Sequence, residues 1–294
     1  MTTEPVPEPV GIVGLGLIGG SLGLDLMAAG VPVRGLVHRA VTAERARRRG
    51  LAAEVSTDPA VLTGCGVVVL ALPLDRLLEP EPALVQALPA TAVVTDVGSV
   101  KEPVRAIWEQ RLGSRFVAGH PMAGTAAAGV EAGRTGLFVG RPWVATPSER
   151  TDPAALAAVR RLAELAGARW LTCGAAEHDR AVALISHLPV LVGAALLRAA
   201  ERGAGGAEVA RLTRALASSG FADTTRVGGG NPDLGTLMAR GNRAAVRAAL
   251  TRYRQELAAL EVLLEEQDWD GLHGALAECA RLRPQFLDAA AGEG

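Results

Sequence analysis

Residues 10–20 read Val-Gly-Ile-Val-Gly-Leu-Gly-Leu-Ile-Gly-Gly, and they decide the expected fold of the amino-terminal half. The apolar run Val10–Gly14 has the composition of a buried strand. It leads into the spacing Gly14-x-Gly16-x-x-Gly19, which is the fingerprint of a dinucleotide-binding turn when a helix follows. A tight turn that binds no ligand is the competing interpretation, but the position at the start of a domain favours binding. The predicted cofactor contacts here are Gly14, Gly16, Leu17, Ile18 and Gly19.

From Val10 to Cys173, short apolar runs alternate with helical stretches. Several of the runs are rich in Val and bounded by Gly or Pro, as buried parallel strands are. The predicted strands are Val10–Gly14, Val33–Val37, Val67–Leu72, Ala92–Asp96, Phe116–Ala118, Trp143–Thr146 and Arg169–Thr172. Helical stretches between them include Gly20–Ala29, Thr42–Arg49 and Pro153–Ala166. This alternation predicts an α/β fold whose residues 1–173 form a Rossmann-type, doubly wound sheet.

The strand pattern ends near Gly174, and the rest of the chain has the periodicity of helices. The predicted helices are Ala175–Ser186, Val190–Glu201, Ala207–Ser218, Asn242–Gln267 and Gly271–Leu282. The glycine-rich run Val227–Pro232 lies among them and is not expected to be regular helix. We therefore expect residues 174–294 to form an all-helical domain. An apolar helical half of this size predicts a homodimer, with a monomeric helical domain as the alternative.

The composition is that of a soluble globular protein. The chain has 294 residues, of which 49% are hydrophobic and 21% charged, and its formal net charge is −1. A nearly neutral chain has no overall field that attracts nucleic acid or an anionic membrane. The sequence lacks an uninterrupted apolar stretch of about 18 residues, so no membrane span is expected. Three separated cysteines and five dispersed histidines predict neither a disulfide framework nor a metal site. We expect a cytoplasmic protein that acts on a small molecule.

The end of the second predicted strand indicates which dinucleotide is bound. Proteins that bind NAD usually place an Asp or Glu there, and this side chain holds the ribose hydroxyls. Residues 36–39 read Leu-Val-His-Arg and contain no acid. Arg39, with help from His38 and Thr42, offers a guanidinium to the 2′-phosphate of NADP. The sequence therefore predicts NADP, with NAD as the alternative cofactor. The competing interpretation is that Arg39 is a solvated charge beside Arg45.

One histidine lies in a small-residue stretch downstream of the fingerprint. Residues 119–125 read Gly-His-Pro-Met-Ala-Gly-Thr, and they follow a second turn, Asp-Val-Gly-Ser-Val-Lys, at residues 96–101. An imidazole in a turn can take a proton from a bound substrate near neutral pH. Beside a nicotinamide, a proton acceptor aimed at a hydroxyl makes an alcohol dehydrogenase, so His120 is the candidate general base. The competing interpretation is a loop histidine that only satisfies backbone groups.

In this order the motifs resemble the TyrA family, the prephenate and arogenate dehydrogenases of tyrosine biosynthesis. The matching motifs are Gly14–Gly20, Asp96–Lys101, Gly119–Thr125, Ile185–Pro189 and Asp223–Arg226. The runs Ser218–Phe221 and Val227–Gly235 are most similar to compact bacterial arogenate dehydrogenases. The resemblance implies an NAD(P)-dependent oxidoreductase. Its reaction is the oxidative decarboxylation of arogenate to tyrosine, of prephenate to 4-hydroxyphenylpyruvate, or of both.

The resemblance also implies roles for individual residues. His120 is the catalytic base, and Ser99 forms a hydrogen bond near the same substrate hydroxyl. The implied substrate contacts are Thr125, His187 and Arg226. Of these, Arg226 is suited to bind a carboxylate because a guanidinium binds that group bidentately. Lys101, the only lysine in the chain, is expected to support the loop or the cofactor side. Members that prefer prephenate often have a second histidine where this chain has Val190, which favours arogenate.

Two other functions fit part of the sequence. A β-hydroxyacid dehydrogenase or imine reductase also joins a Rossmann domain to a helical one. The β-hydroxyacid enzymes usually depend on an interdomain lysine, however, and residues 179–200 contain none. A dinucleotide sensor without catalytic activity is the other alternative. The presence of both Ser99 and His120 argues against a site that has lost its chemistry.

Overall fold

The structure, a computed structural model, describes residues 6–125, 127–203 and 205–291. This part of the chain divides into two compact units. One unit contains the residues up to His178 together with those from His273 onward, and the other contains Asp179–Leu272. The domain limits of 1–173 and 174–294 remain a prediction.

A six-stranded parallel sheet forms the centre of the first unit. Its strands are β1 (Val10–Val13), β2 (Val33–Leu36), β3 (Glu54–Ser56), β4 (Val67–Leu70), β5 (Val93–Asp96) and β6 (Phe116–Val117). They lie in the order β3-β2-β1-β4-β5-β6, and each neighbouring pair is parallel. All residues of β1 and β4 are buried, as expected of Val-rich strands covered on both faces. This strand order is that of the Rossmann fold, so the predicted fold class is confirmed.

A separate three-stranded sheet contains two segments that the sequence pattern had assigned to the doubly wound sheet. Its strands are β7 (Gly119–Pro121), β8 (Pro142–Ala145) and β9 (Arg169–Thr172). They lie in the order β7-β8-β9, with β7 antiparallel and β9 parallel to β8. Assigning Trp143–Thr146 and Arg169–Thr172 to the main sheet was therefore wrong. Hydrophobic pattern identifies a strand, but it does not say with which strand that segment pairs.

Helices connect and cover the strands of the first unit. They are α1 (Leu17–Ala28), α2 (Ala40–Arg48), α3 (Leu74–Leu78), α4 (Pro82–Ala87), α5 (Glu102–Leu112) and α6 (Pro153–Leu165). The start of α6 is fixed locally, because the Asp152 side chain accepts a hydrogen bond from the N–H of Ala154 at 2.9 Å. Leu22 and Leu26 of α1 and Leu162 of α6 are fully buried in the main hydrophobic core. These contacts hold α1 and the turn that precedes it against the sheet.

The described chain is helical from Ala175 onward, as predicted. The helices are α7 (Ala175–Val182), α8 (Leu188–Arg202), α9 (Ala207–Leu216), α10 (Ser219–Thr225), α11 (Pro232–Gly241), α12 (Arg243–Glu265) and α13 (Trp269–Ala291). A π-helical turn, Ala183–His187, joins α7 to α8. A small core of Ala183, Leu188, Val246 and Ala249 holds the second unit together.

The π-helical turn replaces the break that was predicted between residues 186 and 190. Pro189 has no N–H, and its ring crowds the carbonyl group four residues earlier, so a regular α-helix is disrupted just before it. The whole stretch Ala175–Arg202 is, by length and composition alone, apolar enough to cross a membrane. Core helices of soluble proteins share this length and composition, so the stretch does not by itself indicate a membrane span. The expectation of a protein without a membrane segment remains a prediction.

Candidate cofactor and catalytic site

The turn between β1 and α1 depends on its glycines. At Gly14, where φ is +93°, a Cβ atom would lie 2.3 Å from the carbonyl oxygen of Ala71. At Gly19 it would lie 1.9 Å from the carbonyl oxygen of Gly14. At Gly16 no atom lies within 4 Å of that position, so the end of the helix is open to a ligand. The first N–H groups of α1 lack intrahelical acceptors and favour an anion, and they belong to Leu17, Ile18 and Gly19.

A cavity of about 600 Å³ opens at the carboxyl ends of β1 and β2. Ligands bind at such strand ends in open α/β sheets, and the volume is typical of a small-molecule site. The predicted cofactor residues that line the cavity are Gly14, Gly16, His38, Arg39 and Thr42. The open glycine turn and the cavity therefore fit a bound dinucleotide.

Arg39 is exposed at the cavity and stands at the N-cap of α2. Within the described part of the chain it forms no ion pair. Arg45, which also lines the cavity, is paired with Glu131, with 2.7 Å between Nε and Oε1. Residues 36–39 bring no carboxylate to the end of β2. The two arginines therefore differ, because only Arg39 has its guanidinium uncommitted.

One wall of the cavity is residues 128–131, and the segment that contains them is tied to the first two helices. Arg49, which follows α2, donates a hydrogen bond to the carbonyl oxygen of Gly133 at 2.6 Å. Asp25 of α1 accepts one from the N–H of Gly136 at 2.8 Å. Burial raises the pKa of the Asp25 carboxyl, and this hydrogen bond acts in the opposite direction. The wall is thereby fixed to the same helices that form the rest of the site.

His120 lies on strand β7, so its assignment to a turn was wrong. The flanking Gly and Pro are typical of turns, but residues 119–121 pair with β8, where His120 is opposite Val144. The His120 side chain is buried, with 8% of it exposed. Residues 122–125 are irregular, and Thr125 at their end is exposed. The hydroxyl of Thr125 accepts a hydrogen bond from the N–H of Ala127 at 3.2 Å.

A second histidine, which the sequence reasoning missed, contacts His120. Nδ1 of His120 lies 2.9 Å from Nε2 of His178, and the two rings meet edge to face. His178 is in α7 and is buried, with 3% exposed. The small sheet brings them together, because the first residue of β7 and the last residue of β9 pair with the same residue, Ala145. The five histidines are therefore less dispersed than the sequence indicates.

The only lysine of the chain forms a buried ion pair beneath this site. Lys101 and Asp96 are both fully buried, and the ammonium donates a hydrogen bond to Oδ2 of Asp96. Oδ1 of Asp96 accepts a hydrogen bond from the N–H of Gly119 at 3.1 Å. Lys101 Nζ also donates to the carbonyl oxygen of Gly119 at 2.6 Å. Both backbone polar groups of the residue before His120 are thus bound by this one pair.

Ser99 lies in the segment between the two charged residues of that pair. Asp96 ends β5, and Lys101 is the N-cap of α5. The N–H of Gly98 donates to Oδ2 of Asp96 at 2.8 Å, which shapes the loop in between. Because β5 and β6 are neighbouring parallel strands, the segments that follow them meet at one edge of the sheet. The structure therefore brings the segments of Ser99 and His120 to the edge where the glycine turn lies.

His187 is buried in the π-helical turn of the second unit. Its Nδ1 lies 3.3 Å from Nδ2 of Asn242, and the same amide nitrogen donates to the carbonyl oxygen of Asp179 at 2.6 Å. Single-turn π segments are frequent at functional sites. The amide of Asn242 fixes the orientation of the His187 ring.

Arg226 is exposed at the carboxyl end of α10, in the same unit. The glycine-rich run that follows packs directly on α8. A Cβ atom at Gly228 would lie 2.1 Å from the backbone nitrogen of Ala194, and one at Gly193 would lie 3.0 Å from the nitrogen of Gly228. The absence of these side chains lets the backbone that carries Arg226 approach α8 closely.

The fold and the open glycine turn define a dinucleotide-dependent dehydrogenase. In the described residues there is no group of three or more His, Cys, Asp or Glu side chains that could hold a metal ion. The family model "Prephenate dehydrogenase, nucleotide-binding domain" matches residues 22–172, and "Prephenate dehydrogenase, dimerization domain" matches residues 174–278. The chain belongs to the prephenate dehydrogenase, or TyrA, family, and the resemblance stated from its motifs is confirmed.

Known relatives match over almost the whole chain. The arogenate dehydrogenase of Synechocystis is 42% identical, with a TM-score of 0.80 over 94% of this chain and 99% of that one. The prephenate dehydrogenase of Aquifex aeolicus, solved with hydroxyphenyl propionate and NAD+, is 30% identical, with a TM-score of 0.87 over 94% and 97%. The cyclohexadienyl dehydrogenase of Zymomonas mobilis is 29% identical over 93% of this chain and 94% of its own length. These relatives do not favour the β-hydroxyacid dehydrogenase or sensor alternatives.

Proposed function

We propose that the protein oxidises and decarboxylates arogenate to tyrosine and prephenate to 4-hydroxyphenylpyruvate, with arogenate preferred and NADP as the hydride acceptor. The observation that carries the proposal is the buried His120 beside the Ser99 segment, at the sheet edge that also holds the dinucleotide turn. The preference for arogenate is supported by Val190 and by the 42% identity to an arogenate dehydrogenase.

The reaction needs a base for the proton of the substrate hydroxyl and an acceptor for the hydride on the same ring carbon, C4. Both substrates are cyclohexadienes with a hydroxyl on C4 and a carboxylate on C1. Nicotinamide, when bound, supplies the acceptor for the C4 hydride. His120 takes the hydroxyl proton, and the C4–O bond becomes a carbonyl. The electrons of the bond between C1 and its carboxylate then move through the ring to this oxygen as CO2 leaves. The ring becomes aromatic, and the oxygen takes a proton to give the phenol.

In this proposal the other side chains bind and orient the substrate and the cofactor. Ser99 aligns the C4 hydroxyl toward His120. Arg226 binds a substrate carboxylate, and His187 and Thr125 contact the substrate. The glycine turn holds the cofactor pyrophosphate through the first N–H groups of α1. Arg39, with His38 and Thr42, binds the 2′-phosphate.

The preference for NADP depends on Arg39. Replacing Arg39 with alanine is expected to raise the Kd for NADP about ten- to a hundred-fold, because one charge-assisted contact to the phosphate is lost. The Kd for NAD is expected to change less than about two-fold, since NAD lacks that phosphate. Both are measured by titrating the full chain with each cofactor.

The matched control is Arg48→Ala. Arg48 is the last residue of α2, the helix that begins after Arg39. Its side chain is 69% exposed, and it does not line the cavity. This variant is expected to bind both cofactors as the native chain does. Equal losses of NADP and NAD affinity in Arg39→Ala would contradict the phosphate role.

Arg226→Ala is expected to raise the KM for arogenate about ten- to a hundred-fold, because a carboxylate loses its charged partner. Lysine at this position is expected to restore part of the affinity, since it keeps the charge but not the bidentate geometry. Steady-state kinetics of Arg226→Ala, Arg226→Lys and the exposed control Arg252→Ala measure this effect. An unchanged KM in Arg226→Ala would reject the role.

The proposed function is tested by following nicotinamide reduction with arogenate and prephenate supplied separately. The full chain is expected to reduce NADP with both substrates, and with a higher kcat/KM for arogenate. Reduction with prephenate alone would overturn the substrate preference. The absence of reduction with either substrate, in the presence of either cofactor, would overturn the proposed function.

We also propose a homodimer formed through the helices that follow residue 174, in a cytoplasmic protein. The family model over residues 174–278 describes a dimerization domain. Helices α9 and α12 support the proposal because they expose large apolar side chains. Among them are Val209, Leu212, Leu216, Leu257 and Leu264.

A further inference from the structure

The imidazole of the candidate base, His120, lies within hydrogen-bond distance of a second buried imidazole, that of His178. Nδ1 of His120 and Nε2 of His178 are 2.9 Å apart, and less than a tenth of either side chain is exposed. A neutral imidazole has one N–H and one acceptor nitrogen, so the partner of one nitrogen decides what the other can do. The partner of Nδ1 in His120 therefore determines the chemistry of Nε2.

The hydrogen bond between the rings has two directions with opposite consequences. If His178 donates from Nε2, Nδ1 of His120 is the acceptor and Nε2 carries the proton of the neutral ring. That nitrogen then cannot take a proton from the substrate. If His120 donates from Nδ1, its Nε2 is unprotonated and carries the electron pair that a base requires. Proton transfer from the C4 hydroxyl to Nε2 then produces an imidazolium whose Nδ1–H still donates to His178.

We propose that His178 is a positioning residue that accepts the Nδ1–H of His120 and so presents Nε2 of His120 as the base. This inference rests on the proposed function, in which His120 takes the hydroxyl proton. His178 corresponds in geometry to the group that orients the histidine of a catalytic triad. Here the orienting group is an imidazole.

The fold supports this role by fixing the backbone at both residues. His120 is held in β7 between its pairing with β8 and the contacts of Gly119 with the buried ion pair. His178 is held in the first turn of α7, where its N–H donates to the carbonyl oxygen of Gly174 at 2.9 Å. In the same turn the Glu177 carboxylate accepts a hydrogen bond from the N–H of Gly174 at 3.0 Å. Neither histidine depends on a mobile loop for its position.

The first test measures the tautomer of His120 in the full, cofactor-free chain. Nitrogen-15 NMR of the histidine rings distinguishes a protonated from an unprotonated ring nitrogen, and His120→Asn assigns the signals. In the native chain we expect a proton on Nδ1 and none on Nε2 of neutral His120. In His178→Phe, which keeps a ring but removes the acceptor, we expect this preference to weaken or reverse. A proton on Nε2 in the native chain would overturn the proposal.

The second test compares two replacements of His178 by kinetics. His178→Phe is expected to lower kcat about ten- to a hundred-fold while the Kd for NADP stays within about two-fold. His178→Gln is expected to recover most of kcat, because its amide oxygen can accept the Nδ1–H where Nε2 stood. The exposed His273 provides the control, and His273→Phe is expected to leave kcat unchanged.

The outcomes separate this proposal from the proposed function. If His178→Gln loses as much kcat as His178→Phe and both keep the native Tm, His178 acts only by packing and the proposal is overturned. If the native chain oxidises neither substrate, the proposed function fails, and the tautomer of His120 still decides the direction of the hydrogen bond.

Discussion

His120→Asn is expected to lower kcat by about 10²- to 10⁴-fold, the usual contribution of a general base. The asparagine amide places a nitrogen near the position of Nδ1, so the contact with His178 is kept. It has no counterpart of Nε2, and the C4 hydroxyl therefore loses its proton acceptor. The effect is expected in kcat, because the base acts on the bound substrate in the transition state.

Three measurements check this prediction. Steady-state kinetics with arogenate give kcat and KM, titration gives the Kd for NADP, and thermal unfolding gives Tm. The Kd is expected to stay within about two-fold of the native value, because the cavity that fits the dinucleotide is lined by other residues. The control is His273→Asn, at an exposed histidine. Unchanged turnover in His120→Asn would show that another group takes the proton.

Lys101→Met is expected to lower the free energy of unfolding by about 3–5 kcal/mol, which is typical when one partner of a buried ion pair is removed. Asp96 is fully buried and would lose its charged partner, while the N–H groups of Gly98 and Gly119 would still donate to its carboxyl oxygens. Methionine matches the length of the lysine stem, so packing changes little. The carbonyl group of Gly119 would also lose its donor.

Urea unfolding of three variants tests the prediction. In Asp96→Asn/Lys101→Met no charge remains buried without its partner, so more than half of the loss is expected to be recovered. Arg160→Met, which removes an exposed pair with Glu164 in α6, is expected to cost less than about 1 kcal/mol. A loss below about 1 kcal/mol in Lys101→Met, or a double variant as unstable as the single one, would contradict the prediction.

The central sheet was predictable because its strands are short, Val-rich runs bounded by Gly or Pro. The predicted runs at Val10, Val33 and Val67 contain β1, β2 and β4. Burial on both faces imposes such a composition on each strand by itself. The start of α1 was placed three residues late, at Gly20 instead of Leu17, because glycine-rich residues are poor indicators of a helix.

Strands β8 and β9 were predicted from the sequence, but strand β7 and the pairing of all three in a separate sheet were not. Residues 119–121 have the composition of a turn, and they are extended because β8 pairs with them. The strand β3 of the central sheet was also missed, because it has only three residues and lies at the edge of the sheet. Local propensity is a weak guide where tertiary pairing decides the conformation.

Most residues of the candidate site were predicted from the sequence, whereas several of their contacts were not. The sequence predicted the glycine turn, Arg39 and His120 from the chemistry of those residue types, and Ser99 from the resemblance to the family. The contact of His120 with His178 was not predictable, since 58 positions separate them and the periodicity of α7 gives no sign of it. Lys101 was expected to support the loop or the cofactor side, but its buried pair with Asp96 could not be foreseen from the sequence.

The complete burial of Lys101 has a practical consequence for chemical labelling. Every other basic side chain apart from histidine is an arginine, so the folded protein presents no lysine amine to acylating reagents. Such a reagent reaches this nitrogen only when the surrounding structure opens, and acylation of Lys101 then prevents the ion pair from reforming. The rate of acylation, followed by mass spectrometry, therefore measures how often the structure around Lys101 opens, beneath the candidate base His120.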